Sequence, residues 1–166
     1  MVDAIVAGHL CLDIIPDLAA LAPGYFDSVF QPGRLINAGS ATLTTGGAVS
    51  NTGLALYRLG IQTRLIAKVG EDLLGYALRQ SIKNQAAGVD ERVVSSPDST
   101  TSYSVVISPP GIDRRFIHHP GANDDFSAGD VSDQALQDAR LFHFGYPPLM
   151  AGMNSNAGEQ LVGLLE

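Results

Sequence analysis

Gly46 and Gly47 stand side by side in TTGGAVSNTGLALYRLG (residues 44–60), directly ahead of an apolar pattern with helical spacing, and Asn51 follows a turn later. The first amides of a helix have no partners within it, and no Asp or Glu occurs between Gly47 and Glu71 to neutralise the positive end. Such a site suits an anion or a hydroxyl-rich ligand: glycine admits it close to the backbone, and the Asn51 amide both donates and accepts hydrogen bonds. The same pair equally serves a tight strand-to-helix turn with no ligand at all. Neither common nucleotide signature fits. A phosphate loop needs Gly, four residues and then Gly-Lys-Ser/Thr, a string this sequence lacks. A dinucleotide fingerprint needs Gly-x-Gly-x-x-Gly after a strand, and AGHLCLD offers Gly8 alone.

The other chemistry-bearing side chains are dispersed. His118 and His119 adjoin on a strand pattern and so point to opposite faces, while His9 and His143 lie near strand ends. None has Cys or acidic neighbours at metal-ligand spacing, so no metal site is expected. Lys68, close to a strand end, is expected to form a salt bridge.

The elements that must position these residues read as a mixed α/β chain. DAIVAG (3–8) is a short apolar run ending in Gly, the pattern of a buried first strand. Residues 9–35 contain three prolines and are expected to be irregular. LINAGSATLTT (35–45) alternates as an exposed strand does, and 48–59 reads as a helix closed by Gly60. QTRLIAKVG (62–70) reads as a buried strand and 71–88 as an amphipathic helix closed by Gly88. TTSYSVVIS and RRFIHHPG flank PPGID, a hairpin signal. A short helix (VSDQALQDA), a strand (RLFHFGY) and the start of a last helix (AGEQLVGLLE) complete the chain. Helix, strand and helix with short joints imply a mostly parallel sheet covered by helices.

Composition sets the bounds. The 166 residues, 45% of them hydrophobic, suffice for one core, and 18 glycines with 9 prolines imply many tight connections. A net charge of −7 argues against nucleic acid as a partner, since displacing counterions from phosphates needs a basic stripe. The lone Cys11 excludes an internal disulfide framework and fits a reducing compartment. The N-terminus MVDAIVAGHL carries an acid rather than a basic leader, and no apolar run approaches the ~18 residues of a membrane span. The expectation is a cytoplasmic protein with no membrane or nucleic-acid partner.

Several blocks, in order, resemble the ribokinase-like, or PfkB, carbohydrate kinases. They are IVAGHLCLD, a first strand with Gly and then Asp; GGAVSNTGLALYRLG; IQTRLIAKVG; VGEDLLG, similar to the family's Val-Gly-x-Asp-x-x-Gly; AAGVD; HHPGAN; and LFHFGY. Together they span nearly the whole chain. Two positions depart from the family's pattern: Val49 stands where a small residue is common, and Gly53 where Ser, Thr or Ala is favoured.

The resemblance implies a Rossmann-like, mostly parallel sheet flanked by helices, with a small β-lid from strands at roughly 35–45 and 101–119. Residues 1–166 would be the N-terminal part of one such domain, incomplete at its C-terminus. The implied activity is transfer of a phosphoryl group from ATP, with Mg²⁺, to a hydroxyl of a sugar or sugar-like substrate. Asp13, Gly46, Gly47 and Asn51 would hold the substrate's hydroxyls, a carboxylate accepting two protons while an amide fixes orientation. Tyr103 and Phe116 would be the lid residues touching the sugar, with packing between lid and domain or against a second lid as the alternative. The catalytic Asp, the anion hole and the ATP site would lie beyond Glu166, so this chain would bind no cofactor tightly and would not turn over alone. A lid-mediated homodimer is the implied assembly. A sugar sensor without catalysis, or a pairing unit built on the lid strands, remains as an alternative.

DDFSAGD (124–130) imitates the family's catalytic loop, but it directly follows HHPGAN and lacks the Gly-Ala-Gly core. Ser127 and Asp130 instead fit the Ser-x-x-Asp capping signature, expected to open the helix around DVSDQALQDA.

Overall fold

The computed structural model describes residues 2–22, 31–89, 92–137 and 139–166. Its strands, in chain order, are β1 (Val2–Gly8), β2 (Cys11–Ile15), β3 (Thr42–Gly46), β4 (Thr63–Gly70), β5 (Arg92–Ser96), β6 (Tyr103–Ile107), β7 (Arg115–His119) and β8 (Ala139–Gly145). The helices are α1 (Gly47–Arg58), α2 (Leu73–Gln85), α3 (Asp133–Leu136), α4 (Ala151–Asn154) and α5 (Glu159–Leu165).

β1 is buried without a break over Ala4–Gly8, and β4 over Leu65–Ala67 with the half-buried Arg64 and Lys68 on one face, patterns of strands covered on both sides. They form the centre of a parallel sheet ordered β5-β4-β1-β8. Alternation then divides the core. Val6, Leu65, Ala67 and Val69 pack beneath Val49 and Leu54 of α1 and Leu78 and Ile82 of α2. Ile5, Ala7 and Ile66 face the other way, onto Phe126, Ala135, Met150 and Met153. The result is a helix–sheet–helix sandwich. Val49 is fully buried in it, which accounts for an apolar residue at that position. Gly53 has an equally local cause: a side chain there would strike Leu65, and overpacking of that kind costs about 1–3 kcal/mol.

A second, smaller sheet has the order β3-β2-β6-β7, with β2 parallel to β6 and the other pairs antiparallel. Here the structure departs from expectation. Part of the segment 9–35 expected to be irregular is β2, hydrogen-bonded on both sides, and the strand stops at Ile15 because Pro16 follows. Within 35–45, only the end of the span pairs, as β3. Residues 23–30 of the first segment lie outside the described residues.

His9 and Leu10 carry the chain from the first sheet to the second. The crossing is pinned by Asn123, which is fully buried. Its Oδ1 accepts from Leu10 N at 3.1 Å and its Nδ2 donates to Leu10 O at 3.0 Å. One side-chain amide thus replaces a neighbouring strand at the point where β1 ends and β2 begins.

Candidate functional site

The two sheets meet at the carboxyl ends of β1 and β8, where His9 N donates to Gly145 O at 3.3 Å. Between them opens a cavity of about 490 Å³. A second hollow of about 540 Å³, at the amino ends of β1 and β4, is lined by Val2, Gly60, Gly88 and neighbours with no charged side chain. The titratable side chains His9, Cys11, Asp13, Arg114 and His118 line the first.

Asp13 supplies the cavity's carboxylate. β2 holds it opposite Thr44 on one side and Ser104 on the other. Burial pushes its pKa above the ordinary carboxylate value, resisted by hydrogen bonds from Cys11 and Ser104 and by the nearby His118 and Arg114. The Cys11 thiol donates to Asp13 Oδ1 at 3.4 Å. Burial and the Asp13 charge push that thiol up to about 12, so it remains protonated. Ser104 Oγ in turn lies 3.0 Å from His118 Nδ1.

Gly46, Gly47 and Asn51 enter from α1. Gly46 is its N-cap, in extended conformation and without a side-chain cap bond. A side chain at Gly46 would fall on the Asp13 carboxylate oxygens, so the absence of one is what lets Asp13 turn into the cavity. Gly47 has φ of +89°, a conformation glycine adopts freely. It lines the cavity, with Asn51 at the exposed rim.

Phe116 lines the cavity from β7, 55% exposed, with the Arg114 guanidinium 5.5 Å above its ring. Tyr103 is not among the lining residues. On β6 it faces away from Ser104, packs onto the first core and sets its ring 5.5 Å from that of His119. The structure therefore brings together Asp13, Gly46, Gly47, Asn51 and Phe116, and leaves Tyr103 outside.

Sequence reasoning missed His9, Cys11, Ser104, Arg114, His118 and Tyr146. Two were within reach: Cys11 lies two residues before Asp13 on one strand, and His118 two after Phe116, so each shares a face with a residue already chosen. Tyr146 gave no signal. It adopts a left-handed conformation (φ 62°) unusual for a non-glycine residue, and its ring stands edge-on to His9 at 5.9 Å.

DDFSAGD lies apart from the cavity's lining. Ser127 N and Oγ donate to Asp130 Oδ2 at 2.8 and 3.1 Å, the capping box expected. The box closes a single 3-10 turn, Ala128–Asp130, while α3 starts on its own cap, Ser132. Lys68 Nζ meets Asp130 at 2.9 Å and donates to Asp125 O at 2.9 Å. Among the described residues no three His, Cys, Asp or Glu side chains cluster to hold a metal, and no helix is long and apolar enough to cross a membrane.

A helix-covered parallel sheet, crossed by a small second sheet over a cavity that holds a carboxylate, defines an α/β domain with its candidate site between the two sheets. The chain belongs to the pfkB family of carbohydrate kinases, whose family model matches residues 3–162. It is 25% identical over 147 residues to fructokinase-1 of Zea mays and 22% over 140 to fructokinase-2 of Oryza sativa subsp. japonica. These alignments cover 87% and 83% of this chain but only 41% and 38% of the fructokinases. Among solved structures, the PfkB protein of Polaromonas sp. JS666 matches with a TM-score of 0.71 at 20% identity, over 92% of this chain and 48% of that one. The Arabidopsis thaliana ribokinase complexed with ribose and ATP matches with 0.68 at 22% identity, over 86% and 45%.

Proposed function

We propose that this chain is the sugar-binding half of an ATP-dependent carbohydrate kinase. The observation that carries the reading is the half-buried Asp13 carboxylate, turned into the cavity over a Gly46 that has no side chain to displace it. A carboxylate so placed accepts hydrogen bonds from two hydroxyls of one sugar, and charge-assisted bonds of that kind contribute about 1.5–3 kcal/mol each. Asn51 donates and accepts at the rim. Phe116 offers an apolar face to the C–H side of the ring. Because β2, β6 and β7 carry Asp13, Ser104, Phe116 and His118, the second sheet acts as a lid whose approach excludes water from the acceptor hydroxyl.

The residues described here do not fit the nucleotide. A triphosphate calls for a cradle of amides and cations, whereas this cavity turns a carboxylate toward its occupant. The stretch that imitates a catalytic loop has its Asp130 occupied by a cap and by Lys68. We therefore assign ATP, Mg²⁺ and the catalytic base to parts of the enzyme other than these residues. Residues 1–166 alone are expected to bind sugar without phosphorylating it.

Calorimetric titration of the chain with D-fructose and D-ribose tests the reading. At least one sugar should bind, and Asp13→Ala should weaken it by at least about a hundredfold, the loss of two charge-assisted bonds. Equal affinity in the variant, or no binding by the unaltered chain, would reject it.

A further inference from the structure

His9 is 3% exposed, and neither of its ring nitrogens has a hydrogen-bond partner. Buried polar atoms are nearly always paired, and an exception calls for an explanation. Two orphaned atoms on one ring are a larger exception, because the fold gains nothing from them that a phenyl ring would not supply. The ring's surroundings are otherwise ordered. It lies 5.3 Å from the His118 ring and 5.9 Å from Tyr146, edge-on, and its main-chain carbonyl accepts from Val49 N at 3.1 Å.

The ring borders the cavity. His9 lines it beside Gly47 and Asp13. A side chain on Gly47 would sit 2.6 Å from His9 Nδ1, so the ring fits against Gly47 only because that position carries none. Burial foremost, then His118, hold the pKa of His9 down at about 4 against a smaller opposing pull from Asp124. The ring is therefore neutral near pH 7, with one nitrogen donating and the other accepting. A sugar hydroxyl also does both.

We propose that His9 is a substrate ligand that sets which sugars the cavity takes, its two ring nitrogens hydrogen-bonding hydroxyls adjacent to those held by Asp13. The proposal rests on the sugar-binding reading and adds a specificity to it. A polyol with a hydroxyl at the His9 position satisfies the ring, whereas its deoxy counterpart leaves a buried nitrogen unpaired, and sites built to pair a hydroxyl reject such analogues strongly.

The test uses the full 166-residue chain, with D-fructose, D-ribose and their single-deoxy analogues as probes. In long-range ¹H–¹⁵N spectra of histidine-labelled protein, the His9 ring nitrogens should shift on saturation with a bound sugar. His9→Phe keeps the ring contacts and removes both nitrogens. It should weaken sugar binding at least tenfold, flatten the preference for hydroxyl over deoxy analogues, and leave the melting temperature equal or higher. A purely structural His9 gives the reverse, a lowered melting temperature with unchanged affinity and preference, and overturns the proposal. If His9→Phe does not fold, His9→Gln and the spectra of the unaltered chain decide, and His9 nitrogens that do not move at saturation overturn it. Affinity lost in Asp13→Ala but kept in His9→Phe rejects the role of His9 and retains the sugar reading. No binding of any probe by the unaltered chain rejects both.

Discussion

A side chain at Gly46 would fall on the Asp13 carboxylate, whereas one at Gly47 would meet the main-chain carbonyl of His9. The first obstacle is the end of a rotatable side chain and the second is backbone, so the two alanine variants should fail differently. Gly46→Ala should fold, because Asp13 can swing aside, but should lose at least about tenfold in sugar affinity as the carboxylate leaves its place. Gly47→Ala combines the backbone clash with a φ of +89° and should cost about 1–3 kcal/mol or more, read as a lowered urea midpoint. Equal stability and affinity losses in both variants would contradict this division. In the sequence, only the family resemblance put both glycines at one candidate ligand site. Which of them shapes the carboxylate and which shapes the backbone depends on what folds against each.

At the scale of elements, the site depends on two side chains that never enter the cavity. Asp72 caps α2 by accepting from Gly75 N at 2.8 Å, and it also accepts from Thr101 N and Oγ1, each at 2.7 Å. It thereby ties the end of β4 to the approach of β6. Asn123 does the same for the crossing between β1 and β2. Asp72→Ala removes a cap and two further bonds and should cost about 2–3 kcal/mol by urea unfolding. Asn123→Ala strands both main-chain groups of Leu10 and should cost a similar amount, with loss of sugar affinity because Asp13 follows three residues later. A change below about 0.5 kcal/mol in either variant would show that the ties do not hold the sheets.

The VGEDLLG and HHPGAN blocks were visible in the sequence as parts of a resemblance. Their physical roles were not, because each partner lies 29 residues or more away along the chain. β1 and β4 were legible because each carries a short continuous run of apolar residues. β2 was not, because its pairing comes from β3 and β6 rather than from its own alternation, and prolines near it read as breakers.

For the whole molecule, the titrating groups set a direction for stability against pH. His9 sits at about 4 in the fold against 6.5 when free, so the unfolded chain binds more protons between those values and stability must fall as pH drops from 6.5 through 4. The linkage amounts to about 3 kcal/mol when complete. Desolvation raises the Asp72 pKa, but hydrogen bonds from Thr101 and Gly75 outweigh it and leave the value lowered. Stability from Asp72 is therefore also lost in acid, below the ordinary carboxylate range. Asp13 has the opposite sign, since its raised pKa offsets part of the loss just above that range. On the alkaline side, Cys11 keeps its proton to about 12 in the fold against 9.0 when free, so stability declines as pH rises from 9 towards 12. Urea midpoints measured from pH 7 to 4 should fall in the unaltered chain and flatten between 6.5 and 4 in His9→Phe. A flat curve in the unaltered chain would contradict the neutral, buried His9.

What the sequence determined by itself was the layered α/β architecture, the two glycines and Asn51 at a helix start, and the ordered blocks of a carbohydrate kinase family. These are properties of runs of residues, written in apolar period, capping chemistry and spacing. The tertiary structure alone decided that Tyr103 turns away from the cavity, that Tyr146 turns toward it, and that His9 is buried with both nitrogens unpaired. Each of those outcomes depends on which distant strand or helix end packs against the side chain. No local pattern records that, because a strand alternates its faces the same way whichever of them meets the cavity.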